Sequence, residues 1–216
     1  MESGKLSEST FHKLVEKWVE GHKHHVFFAD WKCKTVGGKY FLENVNVARY
    51  HQWKPENVKP SEIELLSGEF FPEDDQARLI EHSSNGGWLC LYTLHIVYSP
   101  VYTVPVLYFK AIHRDGSPCT LEEVERNLSG AATEMIQNHY NRANNTLISE
   151  EEHPLLGLPY FVVHPCQTGN RMAELMRTSV VEGFDYLIRW WSLVGGLLDL
   201  EMSPRLLSSL LTQIDS

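Results

Sequence analysis

The sequence has little positive charge, no closely spaced cysteines and no long apolar run, and each lack excludes a class of protein. Its 216 residues carry 19 lysines and arginines against 28 aspartates and glutamates, giving a formal net charge of -9. This balance argues against a nucleic-acid-binding protein, which needs a cationic surface. The most apolar C-terminal stretch, Trp190 to Leu198, is too short to cross a bilayer. Since the start of the chain also lacks a signal-peptide pattern, we expect a cytoplasmic protein without a stable membrane anchor.

The cysteines and histidines give weak support to a metal site. The four cysteines are Cys33, Cys90, Cys119 and Cys166, and no two of them form a Cys-x-x-Cys pair. A reducing cytosol disfavours disulfides between them. The histidine-rich segment 22–25 has no acidic or cysteine partner at a ligand spacing, so solvated histidines are favoured there. Glycine-rich phosphate loops are also missing, and the sequence predicts neither a metal nor a cofactor.

Hydrophobic periodicity predicts a mixture of helices and strands. Helical spacing of apolar residues occurs in segments 11–19, 120–128, 172–176 and 184–194, and strand-like runs occupy 26–49, 88–98, 101–112 and 160–163. Gly37 and Gly38 can both take positive φ, as a tight hairpin requires. Asn138 to Glu152 is polar and is predicted as a loop. The order of the elements favours an α+β fold.

Cys166 has the most suggestive surroundings of the four cysteines. A strand-like run ends just before it at Pro165, and Thr168 is a candidate N-cap of a following helix. Backbone N–H groups at a helix N-terminus stabilise a thiolate, which is the nucleophilic form of cysteine. His164 would lie on the same side of an extended chain as the sulfur. Cys119 precedes another predicted helix and remains a rival on these grounds, and a buried, inert thiol is the alternative for both.

Four stretches together resemble the autophagy-related protein 10 family of ubiquitin-like-conjugating enzymes. They are residues 102–109, 115–122, 152–166, which ends in His164-Pro165-Cys166, and 186–195. The resemblance implies a ubiquitin-conjugating-enzyme-like core, with an antiparallel sheet packed by N-terminal and C-terminal helices. We expect a single domain over residues 1–216. The segment around 72–87 has an acidic run and two glycines, and this composition predicts a flexible loop.

The same resemblance implies an activity and three protein partners. Autophagy-related protein 12 would be received from the activating enzyme, autophagy-related protein 7, and held as a thioester on Cys166. It would then pass to a lysine of autophagy-related protein 5. The alternatives are the sister family, autophagy-related protein 3, which transfers its modifier to a lipid, a catalytically inactive binding scaffold, and a cysteine hydrolase.

One departure from conventional ubiquitin-conjugating enzymes concerns the oxyanion. In those enzymes, as in this chain, a His-Pro pair precedes the cysteine. There the pair is followed by an asparagine, whose amide is thought to support the oxyanion. Here His153-Pro154 is followed by Leu155. The candidate replacements are backbone N–H groups after Cys166, Asn145 in the loop with Asn144, and the strand residue Tyr98. His164 is a further accessory candidate.

Overall fold

The structure is a computed structural model that describes residues 4–21, 29–52, 87–130, 132, 147–177 and 185–200. Four helices and six strands are found in these ranges: α1 (Glu8–Gly21), β1 (Lys32–Val36), β2 (Lys39–Gln52), β3 (Gly87–Ser99), β4 (Val104–His113), α2 (Leu121–Arg126), β5 (Ile148–Glu152), β6 (Pro159–Val163), α3 (Thr168–Met176) and α4 (Asp185–Val194). Single 3-10 turns cover Pro165–Gln167 and Gly195–Leu198. Within the described part of the chain, no helix combines the length and apolar character that a membrane crossing would need.

All six strands form one antiparallel sheet in the order β1-β2-β3-β4-β6-β5. The β1–β2 hairpin turns at Gly37 and Gly38, which have φ values of 57° and 77°, so the predicted two-glycine turn is confirmed. β2, β3 and β4 pair along most of their length. By contrast, β4 meets β6 through only two residue pairs, Tyr108 with Val162 and Phe109 with Phe161.

Helices cover the apolar face of the sheet and bury the aromatic residues. The predicted α1 stripe is confirmed, since Phe11, Leu14, Val15 and Trp18 are all buried. Trp31 meets Trp18 and Trp191 edge to face, with ring centroids 6.0 and 5.3 Å apart. Both Trp190 and Trp191 of α4 lie in the core. The N-terminal and C-terminal helices therefore share one hydrophobic core with the sheet.

Two predicted boundaries differ from the structure. Residues 148–152, predicted as part of a loop, form the edge strand β5, in which three glutamates face solvent. Their polarity hides the strand, which is held instead by backbone pairing with β6. The second long strand begins at Val104 rather than Val101, because Thr103 has a positive φ of 55° and belongs to the preceding turn.

The predicted α+β fold, with an antiparallel sheet packed by N-terminal and C-terminal helices, is confirmed. The predicted flexible loop around 72–87 falls outside the described residues, apart from Gly87 at the start of β3. The histidine-rich segment 22–25 lies outside them as well.

Candidate active site

Cys166 lies at the junction between the last strand of the chain and the helix that follows it. β6 ends at Val163, the 3-10 turn spans Pro165–Gln167, and α3 begins at Thr168. The Cys166 side chain is half-buried and packs on one side against the hydrophobic core. The structure therefore places Cys166 between a strand end and a helix start, as the sequence predicted.

The capping of α3 differs from the prediction by one residue. The N-cap is Gln167, which makes no side-chain capping bond, and Thr168 is already helical. The N–H of Thr168 donates to the carbonyl of Pro165, which closes the 3-10 turn. Because that turn runs directly into α3, no extended residue remains at Thr168 for its hydroxyl to act as a cap.

His164 contacts the backbone of Cys166. Its Nδ1 accepts a hydrogen bond from the Cys166 N–H at 3.3 Å, and its own N–H donates to the Leu147 carbonyl at 2.9 Å. The ring also packs edge-on against Tyr102, with centroids 5.8 Å apart. His164 thus caps the turn that carries Cys166 and fixes the main chain from which the sulfur projects.

The other three cysteines have less accessible or less favourable surroundings. Cys90 and Cys119 are buried, and their Sγ atoms are 3.4 Å apart. A hydrogen bond with Cys90 and burial raise the pKa of the Cys119 thiol, so the predicted rivalry of Cys119 with Cys166 has no support from its location. Burial, with Glu16 nearby, also raises the pKa of half-buried Cys33. All four cysteines are described, and none forms a disulfide.

Tyr98 anchors an N-terminal segment beside α3. Its hydroxyl donates to the Leu6 carbonyl at 3.0 Å, and its ring packs on Phe11. Leu6 in turn donates its N–H to the Thr103 carbonyl at 2.9 Å, and Tyr186 donates its hydroxyl to the Gly4 carbonyl at 2.8 Å. The hydroxyl proton of Tyr98 is therefore engaged by the main chain, which favours an anchoring role for this residue.

Asn145 and Asn144 lie outside the described residues, so the structure does not place their side chains. The chain re-enters the described part at Leu147, whose carbonyl accepts the His164 N–H. Ile148 then pairs with Val163, the last residue of β6. The described chain therefore resumes, two residues after Asn145, at the end of the sheet where Cys166 lies.

The His153-Pro154-Leu155 sequence forms the turn between β5 and β6, at the end of β6 remote from Cys166. His153 Nδ1 accepts the N–H groups of Leu155 and Leu156, both at 3.2 Å. The His153 N–H donates to the Leu158 carbonyl at 2.8 Å, and Gly157 turns the chain with a φ of 63°. In this chain the His-Pro pair thus organises a hairpin turn, a role that sequence reasoning missed.

A buried histidine pair links this turn to the sheet. His153 Nε2 lies 3.1 Å from His95 Nδ1, and His95 Nε2 lies 3.4 Å from Glu43 Oε1. Since His153 Nδ1 accepts two N–H groups, its proton must be on Nε2 and is donated to His95. Burial, with smaller effects of His95 and Lys110, lowers the pKa of His153 to about 4. Burial also lowers the pKa of His95, so both imidazoles are neutral near pH 7 and the pair holds the turn against the sheet.

Comparison with known proteins gives a consistent result. The family described as "Autophagocytosis associated protein, active-site domain" matches residues 9–205. The chain is similar to ubiquitin-like-conjugating enzyme ATG10 of Homo sapiens, with 34% identity over 114 residues, 51% of this chain and 50% of that protein. It is also similar to ubiquitin-like-conjugating enzyme ATG10 of Arabidopsis thaliana, with 33% identity over 122 residues, 54% of this chain and 52% of that protein.

A solved structure, titled as the crystal structure of the autophagic E2 Atg10, aligns with 91% of this chain and 99% of its own. Its TM-score is 0.44 and its sequence identity is 15%. The matched segments of the chain span about half the length of the curated relatives. The resemblance found in the sequence motifs is confirmed by the family match and by the curated relatives.

Proposed function

The chain belongs to the family of autophagocytosis-associated proteins with this active-site domain, and on that premise we propose that it is a ubiquitin-like-conjugating enzyme with Cys166 as its acyl carrier. The observation that carries the proposal is the position of Cys166. Its half-buried side chain lies where β6 passes into α3, on a main chain fixed by His164. A thiol in that position can meet the C-terminus of a partner protein while its backbone stays in one place.

The reaction we propose has two acyl-transfer steps. In the first, the Cys166 thiolate attacks the thioester carbonyl that joins the modifier's C-terminal glycine to the activating enzyme, and the activating enzyme's thiolate leaves. In the second, a neutral lysine amine attacks the new Cys166 thioester. The amine loses a proton to solvent, an amide bond forms, and the Cys166 thiolate leaves.

We propose autophagy-related protein 12 as the modifier, autophagy-related protein 7 as the activating enzyme and autophagy-related protein 5 as the acceptor, as the family resemblance implies. We place these reactions in the cytoplasm. A thioester is already activated, and positioning of the two reactants is worth about 7 kcal/mol or more of the barrier. Docking of the partners should therefore contribute as much to the rate as the side chains around the sulfur.

We also propose that the chain works as a single conjugating-enzyme-like domain. All six described strands belong to one sheet, and the N-terminal segment is hydrogen-bonded both to the turn before β4 and to α4. Residues 4–6 and residues 185–200 thus contribute to the same structure. Limited proteolysis that released two stably folded fragments would contradict this proposal.

A thioester trap tests the activity. The full chain is incubated with the modifier, its activating enzyme and ATP, and adducts are separated with and without reducing agent. We expect a reducible adduct for wild type and for the matched control Cys33→Ser, which changes the other half-buried cysteine. Cys166→Ser should give a reductant-resistant ester or no adduct. An undiminished reducible adduct in Cys166→Ser would refute the assignment.

The same experiment separates the alternatives. An inactive scaffold binds the partners but forms no adduct, and Cys166→Ala leaves its binding unchanged. A hydrolase releases the modifier into water when no acceptor is present. An enzyme of the lipid-transfer branch passes the modifier to phosphatidylethanolamine vesicles rather than to the protein lysine. We expect transfer to the lysine of the protein acceptor.

A further inference from the structure

Three sulfur and nitrogen atoms meet at the end of the sheet remote from Cys166. Among the residues that the structure describes, Cys90, His113 and Cys119 each place one ligand atom within 4.8 Å of the others. Cys90 on β3 is directly opposite His113 on β4. Cys119 returns over this pair after a turn, and its N–H donates to the Ala111 carbonyl at 2.9 Å. The cluster is thus built by strand register and one hydrogen-bonded turn.

The distances in this cluster match a tetrahedral metal site. The two Sγ atoms are 3.4 Å apart, and Cys90 Sγ lies 3.9 Å from His113 Nδ1. With Zn–S and Zn–N bonds of about 2.3 and 2.0 Å, tetrahedral angles place two sulfurs about 3.8 Å apart and sulfur and nitrogen about 3.6 Å apart. The observed separations differ from these values by a few tenths of an ångström, so binding requires only a small adjustment.

His51 on β2 is a candidate fourth ligand, although it lies outside the group of three whose ligand atoms are within 4.8 Å of one another. The register pairs His51 with Trp88 and Arg49 with Cys90, which places His51 diagonal to Cys90 on the same sheet face. The His51 side chain is buried, and its Nδ1 has no hydrogen-bonding partner among the described residues. A buried side-chain nitrogen without a hydrogen-bonding partner needs an explanation, and metal coordination is the one that we propose for His51.

The second nitrogen of each histidine is already held by an oriented partner. His113 Nε2 lies 3.4 Å from Glu123 Oε1, and His51 Nε2 lies 2.9 Å from the Tyr92 hydroxyl. Histidine ligands of metals commonly have their other ring nitrogen fixed in this way by a carboxylate or another polar group. The His113 ring therefore presents Nδ1 to Cys90, and the His51 ring is held in place by Tyr92.

We propose that Cys90, Cys119, His113 and His51 bind one zinc ion that fastens the start of α2 to the sheet. Binding releases the two thiol protons to solvent, and the two imidazoles bind as neutral ligands through Nδ1. The site is structural rather than catalytic. Val104, at the other end of β4, lies near Gly169 of α3. It is nine residues from His113, or about 30 Å along the strand.

Metal content and cobalt spectroscopy test the proposal on the full chain. Protein purified without added metal should contain one zinc per chain by elemental mass spectrometry. After chelation under reducing conditions, titration with Co²⁺ should give the visible absorption of tetrahedral cobalt together with thiolate-to-cobalt charge transfer. Both should saturate at one equivalent and disappear when Zn²⁺ is added. A fully reduced chain that binds neither ion would overturn the proposal.

Variants identify the ligands. Cys90→Ser and Cys119→Ser should each weaken cobalt binding at least ~100-fold, and Glu123→Gln should weaken it ~10–100-fold through the orientation of His113. His51→Ala should change the cobalt spectrum, because water then replaces a nitrogen ligand. Cys33→Ser is the matched control and should bind as wild type does.

Two further comparisons keep the result interpretable. Zn²⁺ should raise the unfolding temperature of the wild type and of Cys33→Ser but not that of the Cys90→Ser/Cys119→Ser double variant, which separates lost binding from lost folding. Retention of one equivalent of Co²⁺ by the double variant would overturn the proposal and direct attention to the histidines at 22–25. Cys166→Ser should bind zinc normally, so failure of the zinc site and failure of the thioester are separate results.

Discussion

Cys166 is positioned through its main chain. His164 does this positioning. Its ring Nδ1 accepts the Cys166 N–H, and its backbone N–H donates to the Leu147 carbonyl. The side chain two residues before the candidate nucleophile therefore ends the strand and starts the turn. Its sequence position made it a candidate catalytic group, but its contacts indicate a positioning residue.

Replacing His164 tests this role. His164→Ala removes the acceptor for the Cys166 N–H and should lower the free energy of unfolding by about 1 kcal/mol, as loss of a cap usually does. It should also slow thioester formation in single-turnover assays. His164→Asn can cap the same N–H through its amide oxygen and should restore both values. If His164 instead acted as a proton carrier, Asn would fail to rescue the rate, and the pH profile would change.

The oxyanion donor remains a prediction at Asn145. Asn145 precedes Leu147 by two residues, and the Leu147 carbonyl accepts the backbone N–H of His164. Asn145→Ala should leave thioester formation intact and slow transfer to lysine by about 100-fold, since one lost oxyanion donor costs about 3 kcal/mol. The rate is measured by chasing preformed thioester with the acceptor. Equal slowing by Asn144→Ala would show that the loop matters rather than this one amide.

At the scale of elements, the β5–β6 turn depends on neutral histidines. His153 holds two backbone N–H groups through Nδ1 and reaches His95 through Nε2, and Glu43, Lys110 and Tyr160 surround the pair. Protonation of His153 would convert Nδ1 from an acceptor into a donor that faces two donors. The turn should therefore be sensitive to acid.

The pH dependence of stability follows from the lowered pKa of His153. In the unfolded chain this residue titrates near 6.5, and in the folded chain near 4. Its contribution to stability is full above pH 6.5 and is lost as the pH falls towards 4, by about 2–3 kcal/mol. Denaturant unfolding between pH 4 and 7 measures this loss. His153→Gln should be less stable at pH 7 but should show a flatter pH dependence; an unchanged slope would contradict the assignment.

Gly4 allows the N-terminal segment to lie against α3. It has a φ of 65°, and a Cβ atom there would collide with the backbone of Gly169 and Ala173, just after Cys166. Gly4→Ala should lower the unfolding free energy by about 2 kcal/mol and slow thioester formation, since the segment must move away from α3. Gly116→Ala is the matched control, with a φ of 87° and open space around it, and should cost only about 1 kcal/mol with no effect on the thioester.

Local signals predicted the elements that are stabilised by neighbours in sequence. The Gly37-Gly38 turn and the apolar stripe of α1 are both found in the structure, because each depends on residues close together in the sequence. The edge strand β5 was not predicted, because its polar residues are held by pairing with β6. The clusters around His153 and Cys90 were missed for the same reason, since their partners lie tens of residues away in the sequence.

At the scale of the whole molecule, Cys166 and the Cys90 cluster lie far apart. Cys166 lies where β6 meets α3, near the start of β4, and the Cys90 cluster lies at the end of β4. The sheet connects the two sites, and the fold class followed from periodicity and motif order. The distribution of the four cysteines between the two ends of the sheet could not be predicted in this way, because it depends on strand register rather than on spacing in the sequence.

The two-pair ladder between β4 and β6 has a consequence for local opening. The hairpin of β5 and β6 pairs along its full length, but among the described residues its backbone pairs with the rest of the sheet only at Tyr108 and Phe109. Few backbone hydrogen bonds must break for it to detach, so its amide hydrogens should exchange with deuterium as one group, at a lower protection than those of β2 and β3. Cys166 follows this hairpin, and a bound modifier would slow that exchange.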